Sequence, residues 1–168
     1  MHKLLGFFLL IAGLSLAGCS FGDQEDVWFD SKEEAIEGGL QQNELNKSAL
    51  LAFEEYRGET IVFFKRDESL GTAVISEGKK GVSWHRDHPY NGFEAGGDLP
   101  YSTVGFDLES NTGEKISILA GKVFDSSIQL LRLNDGGVIK ELKVDAESGL
   151  FFAIHEAPYS SLVINPIK

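Results

Sequence analysis

The sequence predicts a mainly β fold with one N-terminal helix, an α+β arrangement in which an antiparallel sheet packed by the helix is followed by a small β-sandwich. Three observations predict it. A capping-box pattern followed by apolar residues one turn apart occurs near residue 31. After Asn46 the apolar pattern changes to period two. Turn-forming residues then recur at short, regular intervals to the end of the chain.

The helix is read from Ser31-Lys32-Glu33-Glu34, in which Ser31 caps the first turn and Glu34 reaches back to its amide. Ile36 and Leu40 follow one turn apart and give a narrow apolar face. Gly38 and Gly39 each cost about 1 kcal/mol relative to Ala, so the helix should be short and depend on what it packs against. Residues 50–56, 60–66, 70–77 and 82–88 then read as strands. They are joined by Arg57-Gly58-Glu59, by Asp67-Glu68-Ser69 and by residues 78–81. Ile61, Val62, Phe63 and Phe64 are apolar without alternation, which requires both faces of that strand to be covered, one of them by the helix.

Residues 87–101 are loop-like and divide the body into a helix-and-sheet half (31–99) and a sandwich-like half (100–168). In the second half, residues 102–109, 115–120, 128–133, 138–144, 150–156 and 161–165 read as strands. Asn111-Thr112-Gly113, Asp135-Gly136-Gly137 and Glu147-Ser148-Gly149 supply turns. In spacing and texture, residues 121–164 resemble the small immunoglobulin-like β-sandwich modules of Gram-positive extracellular proteins. That resemblance implies a fold and no activity.

The extreme N-terminus differs from the rest. A basic start at Lys3 precedes an apolar run over residues 4–16, the layout of a secretory signal. As a helix the run would span only about 20 Å, short of the roughly 30 Å core of a bilayer. It ends in Leu16-Ala17-Gly18-Cys19, which resembles the lipobox of bacterial lipoprotein precursors. The resemblance implies a signal peptide at 1–18, cleavage after Gly18, and a diacylglyceryl group on Cys19. It also implies an extracytoplasmic protein whose partner is the membrane itself. Through Ser31-Lys32-Glu33-Glu34-Ala35-Ile36 and Val123-Phe124-Asp125-Ser126-Ser127-Ile128 the body also resembles small uncharacterised lipoproteins of Gram-positive spore-formers.

Composition narrows the function. Cys19 is the only cysteine. If lipid consumes it, no thiol remains for a disulfide, a metal site or a nucleophile. The formal net charge of -11 repels nucleic acid and anionic lipid headgroups, so nucleic acid is not expected as a partner. Asp23, Glu25, Asp26 and Asp30 make residues 19–30 an acidic linker. No cofactor motif is present, so no cofactor is expected.

Candidate chemistry is sparse. In Trp84-His85-Arg86-Asp87-His88, His85 and Asp87 share a strand face and His88 points the other way. A zinc site for a metal-dependent hydrolase at His85, Asp87 and His88 therefore requires the strand to end at Asp87 and the chain to turn. The His85-Arg86-Asp87 triplet lacks the Asn of a kinase catalytic loop, since Gly92 stands there. His155-Glu156 lacks the second His of a zincin motif, since Tyr159 stands there, and a packed or hydrogen-bonded His155 is expected. No Gly-x-Ser-x-Gly elbow occurs. Trp84, Tyr90, Phe93 and Tyr101 surround a glycine-bearing loop and form the candidate ligand site. The expected function is a non-enzymatic module that binds an envelope protein, a peptide or a wall polymer.

Overall fold

The computed structural model describes residues 27–167, so the signal, the lipobox and Cys19 lie outside the described residues. The described residues are mainly β, with one α-helix and three antiparallel sheets. In chain order the elements are β1 (Trp28–Phe29), α1 (Lys32–Gln42), β2 (Leu50–Tyr56), β3 (Glu59–Arg66), β4 (Ser69–Gly78) and β5 (Gly81–His85). They continue with β6 (Tyr101–Glu109), β7 (Lys115–Val123), β8 (Leu130–Asp135), β9 (Val138–Lys143), β10 (Leu150–Ile154) and β11 (Val163–Ile167). The first sheet has the order β1-β5-β4-β3-β2, the second β10-β7-β6 and the third β11-β8-β9.

Helix α1 starts where the capping pattern places it. The Ser31 hydroxyl accepts from the Glu34 amide at 3.2 Å. The reciprocal bond is displaced by one residue: Glu34 Oε2 accepts from the amide of Asp30, not of Ser31. Ala35, Ile36 and Leu40 are buried against the first sheet, where Val62, Phe64, Ala73, Ile75 and Trp84 complete one core. The adjacent glycines have a packing reason. A Cβ on Gly39 would lie 2.0 Å from the Trp84 indole, and one on Gly38 would lie 2.3 Å from the Phe29 ring. Without side chains at these positions, the helix approaches the sheet closely enough for both rings to lie beneath it.

Strand β3 is covered on both faces, as its composition requires. Val62 and Phe64 face the helix, whereas Ile61 and Phe63 face the second sheet. The β2–β3 turn is tighter than its reading, because β3 already begins at Glu59. Arg57 and Gly58 both have positive φ, at 51° and 87°, which is the backbone demand of a two-residue hairpin turn. Trp28–Phe29, read as the end of the linker, pairs with β5 as an edge strand. Strand β5 stops at His85, three residues short of the end at His88 that the sequence pattern predicts.

The six C-terminal strands divide between two sheets. Ile116, Ile118 and Ala120 of β7, with Leu108, Leu150 and Ile154, pack against Ile61, Phe63 and Val74 of the first sheet. On the opposite face, Leu119 and Val123 of β7, with Phe151 and Ala153, pack against Leu131, Leu133 and Leu142 of the third sheet. The second sheet is thus sandwiched, and the layers run helix, first sheet, second sheet, third sheet. Among the described residues no helix is long and apolar enough to cross a membrane.

The packing reason for Gly39 is testable by the sign of one substitution. Helix propensity alone would make Gly39→Ala stabilising by about 1 kcal/mol. The Trp84 contact makes it overpacking, which costs about 1–3 kcal/mol. Urea denaturation of the variant should show a lower midpoint, and an unchanged or higher midpoint contradicts the packing account.

Candidate functional site

Three sheets end side by side along β2, β9 and β10, each an edge strand of its own sheet. Between them lies an open cleft of about 600 Å³. Strand β10 supplies the floor, since Phe152 turns toward the first sheet and stacks on Phe63 with centroids 4.0 Å apart. Leu142 of β9 and Leu51 and Ala52 of β2 extend the apolar lining. Strand β2 is irregular here: its register against β3 shifts between Leu50 and Ala52.

Charged side chains rim the apolar floor. Lys140 Nζ donates to Asp135 Oδ2 at 2.7 Å and to the Ile154 carbonyl at 2.9 Å, which ties β9 to β10. Asp135 is only 4% exposed. Its carboxylate also accepts from the amides of Glu156 and Ala157. Burial alone would raise the Asp135 carboxyl. The Lys140 ammonium and the two amides outweigh burial and hold it below the ordinary carboxylate value. Glu54 is displaced the other way, because burial pushes it up against the opposing charge of Lys140.

One end of the cleft is closed by a clamp. The Tyr56 hydroxyl donates to Glu156. Arg57 donates to Glu156 Oε2 at 2.9 Å and to Glu114 Oε1 at 2.6 Å, and its guanidinium lies over the Tyr56 ring at 5.0 Å. The β2–β3 turn is thereby joined to the β6–β7 turn and to the chain after β10. Burial, then the Glu156 hydrogen bond, pushes the Tyr56 phenol up to about 12. The same bond, with Arg57, holds Glu156 below its ordinary value.

The residues singled out by sequence fall elsewhere. Trp84 is 7% exposed and lies in the core beneath the helix. Tyr90 meets the same core edge-on through Phe64, stacks against Arg86 at 4.0 Å and donates to Asn43 Oδ1 at 3.3 Å. Phe93 packs into the core between the first and second sheets. Tyr101 belongs to the core between the second and third sheets, where its hydroxyl donates to the Ile164 carbonyl at 3.1 Å. Trp84 and Tyr90 therefore meet around Phe64, while Phe93 and Tyr101 are distributed to two other cores.

His85 lies on β5 opposite Val74, and Asp87 is exposed beyond the strand end. The His88 ring stacks on Phe106 at 4.1 Å, with Nδ1 beside the Pro89 carbonyl at 3.0 Å. Among the described residues, no three His, Cys, Asp or Glu side chains are grouped to hold a metal ion. His155 is buried, with Nδ1 at 2.7 Å from the Ala157 carbonyl, so it is the hydrogen-bonded histidine its strand position suggests.

No family model, curated protein or solved structure matches this chain. Its geometry must carry the functional reading alone. The cleft residues Glu54, Tyr56, Lys140 and Glu156 were not identified as a site from sequence. One signal was present: Glu54-Glu55 in β2, and Lys140, Glu141 and Lys143 in β9, put charge into these strands, as edge strands do.

The clamp makes Tyr56 distinguishable by titration. The folded phenol is raised to about 12 from an unfolded value of about 10. Its contribution to stability is therefore present below about pH 10 and lost as pH rises toward 12. Absorbance titration of the folded protein should show a late phenolate that Tyr56→Phe removes. If the late component survives in Tyr56→Phe, the clamp is misassigned.

Proposed function

We propose that this chain is an extracytoplasmic lipoprotein, held to a membrane by lipid on Cys19, that binds an extended cationic polypeptide segment between β2, β9 and β10. The anchor is supported by the sequence alone, through Leu16-Ala17-Gly18-Cys19 and the short apolar run before it. One acyl chain holds only marginally, whereas the two chains of a diacylglyceryl group give a stable tether.

The observation that carries the binding reading is the junction of three sheet edges around one apolar cleft. Its volume, about 600 Å³, falls in the range of ligand sites, roughly 300–1,000 Å³. An edge strand offers backbone donors and acceptors that repeat every second residue, at about 6.6–6.8 Å. An extended peptide repeats its own groups at that interval and pairs with them, which a sugar polymer does not. Charge then selects among peptides. Glu54, Glu141 and Asp145 line the cleft with Lys140 and Lys143, and its other carboxylates are already paired, Glu55 with Lys32 and Glu156 with Arg57. Glu141, exposed and opposite Arg132 across the β8–β9 pair, forms no hydrogen bond or ion pair among the described residues and is open to a ligand cation.

Photo-crosslinking in intact cells tests the proposal. A photoreactive residue replacing Lys143 should yield a polypeptide adduct that Glu54→Lys abolishes, while the same residue replacing Glu33 on α1 should yield none. Cell fractionation of Cys19→Ala should move the protein out of the membrane fraction. No adduct at position 143, or equal adducts at positions 143 and 33, would overturn the cleft, and a Cys19→Ala variant bound as tightly as the parent would overturn the anchor.

A further inference from the structure

Strand order places β1 and β2 at opposite edges of the first sheet. Four strand spacings of about 4.8 Å separate them, about 19 Å in all. Cys19 stands nine residues before Trp28, a contour of at most about 30 Å at about 3.3 Å per residue. The part of the described body joined most directly to Cys19 is therefore the β1 end, and the cleft lies along the far edge.

The β1 end has a particular chemistry. Trp28 is half-buried and lies over the β4–β5 turn, where a Cβ on Gly78 would come within 3.3 Å of its six-membered ring. Lys79 and Lys80 form that turn and are exposed. Lys80 Nζ is 5.8 Å from the Trp28 ring centroid. Neither lysine has a carboxylate partner among the described residues, in a protein whose formal net charge is -11. Val27, the described residue nearest the anchor, is also exposed. Packing on the turn accounts for the buried part of the indole. It does not account for two exposed lysines on that turn, one of them over the indole and neither paired with a carboxylate.

We infer that Trp28 and the Lys79-Lys80 turn rest on the lipid surface that holds Cys19. The inference rests on the lipid-anchor reading. An indole is apolar over its body and polar at its N–H, which suits the headgroup zone of a bilayer. Lysine stems lie along apolar surface while the ammonium groups reach lipid phosphates. Asp23, Glu25 and Asp26 on the tether and the exposed Asp30 just after β1 oppose an anionic surface, so the indole and the local ammonium–phosphate contacts together supply the hold. Docked in this way, the body turns β2 and the cleft away from the membrane.

Trp28 and Trp84 are the only two tryptophans, and Trp84 is buried beneath the helix. Fluorescence of the full lipidated protein in phosphatidylcholine–phosphatidylglycerol vesicles with brominated acyl chains therefore reports on Trp28. Bromolipid should quench the parent protein, leave Trp28→Phe unquenched, and quench the Lys79→Glu/Lys80→Glu double variant less than the parent. Protein that floats with the vesicles at unchanged emission overturns the docking and leaves the anchor standing. Protein that does not float with them overturns both.

Discussion

Strand β7 is packed on both faces from Ile118 to Val123, and the remaining architecture depends on that fact. Ile116, Ile118 and Ala120 point into the core shared with the first sheet, and Leu119 and Val123 into the core shared with the third. Each fully buried side chain of this size contributes about 1.5–3 kcal/mol relative to exposure. Removing either outer sheet would leave an apolar face uncovered, so the three sheets are held face to face at about 10 Å. The cleft follows from this stacking. It exists only where the edges β2, β9 and β10 are kept beside one another by the layer between them.

Charge on these edges serves two physical purposes. Exposed edge strands invite pairing with other chains, and the glutamates of β2 with the lysines of β9 counter that tendency. The same glutamates stand over an apolar floor, and the proposed recognition of a cationic strand rests on them. The Arg57 clamp and the Lys140 bridge keep the rim in place through hydrogen bonds between elements distant in sequence. The outermost pairs, Lys65 with Glu147 and Lys122 with Glu68, also join different layers. Such exposed pairs each contribute little to stability, about 0–1 kcal/mol, so they orient the layers rather than hold them.

What was legible in the sequence was local. The Ser31 cap announced α1, period-two patterns located the strands after Asn46, and the unbroken apolar run Ile61 to Phe64 announced a strand covered on both faces. Long-range assignments were less legible. Alternation shows that residues 102–109 and 130–133 are strands but not that they enter different sheets, because sheet membership depends on pairing partners. Trp28–Phe29 is too short to display a period. The aromatics Trp84, Tyr90, Phe93 and Tyr101 are not gathered in one place for a related reason. Trp84, Phe93 and Tyr101 are close in sequence, yet strand alternation and chain turns carry them into separate cores. The cleft joins residues up to a hundred positions apart, such as Tyr56 and Glu156, and no window of sequence contains it.

A doubly buried middle sheet makes the three layers one cooperative unit. Both tryptophans belong to the first sheet, whereas Leu131 lies in the core of the third, on the far side of the middle sheet. The direct measurement is the denaturant midpoint of tryptophan fluorescence in Leu131→Ala. Loss of this fully buried leucine should lower stability by about 2–5 kcal/mol and shift the tryptophan transition together with the loss of total β signal. A tryptophan midpoint that stays at the parent value while the β signal divides into two steps would contradict the account.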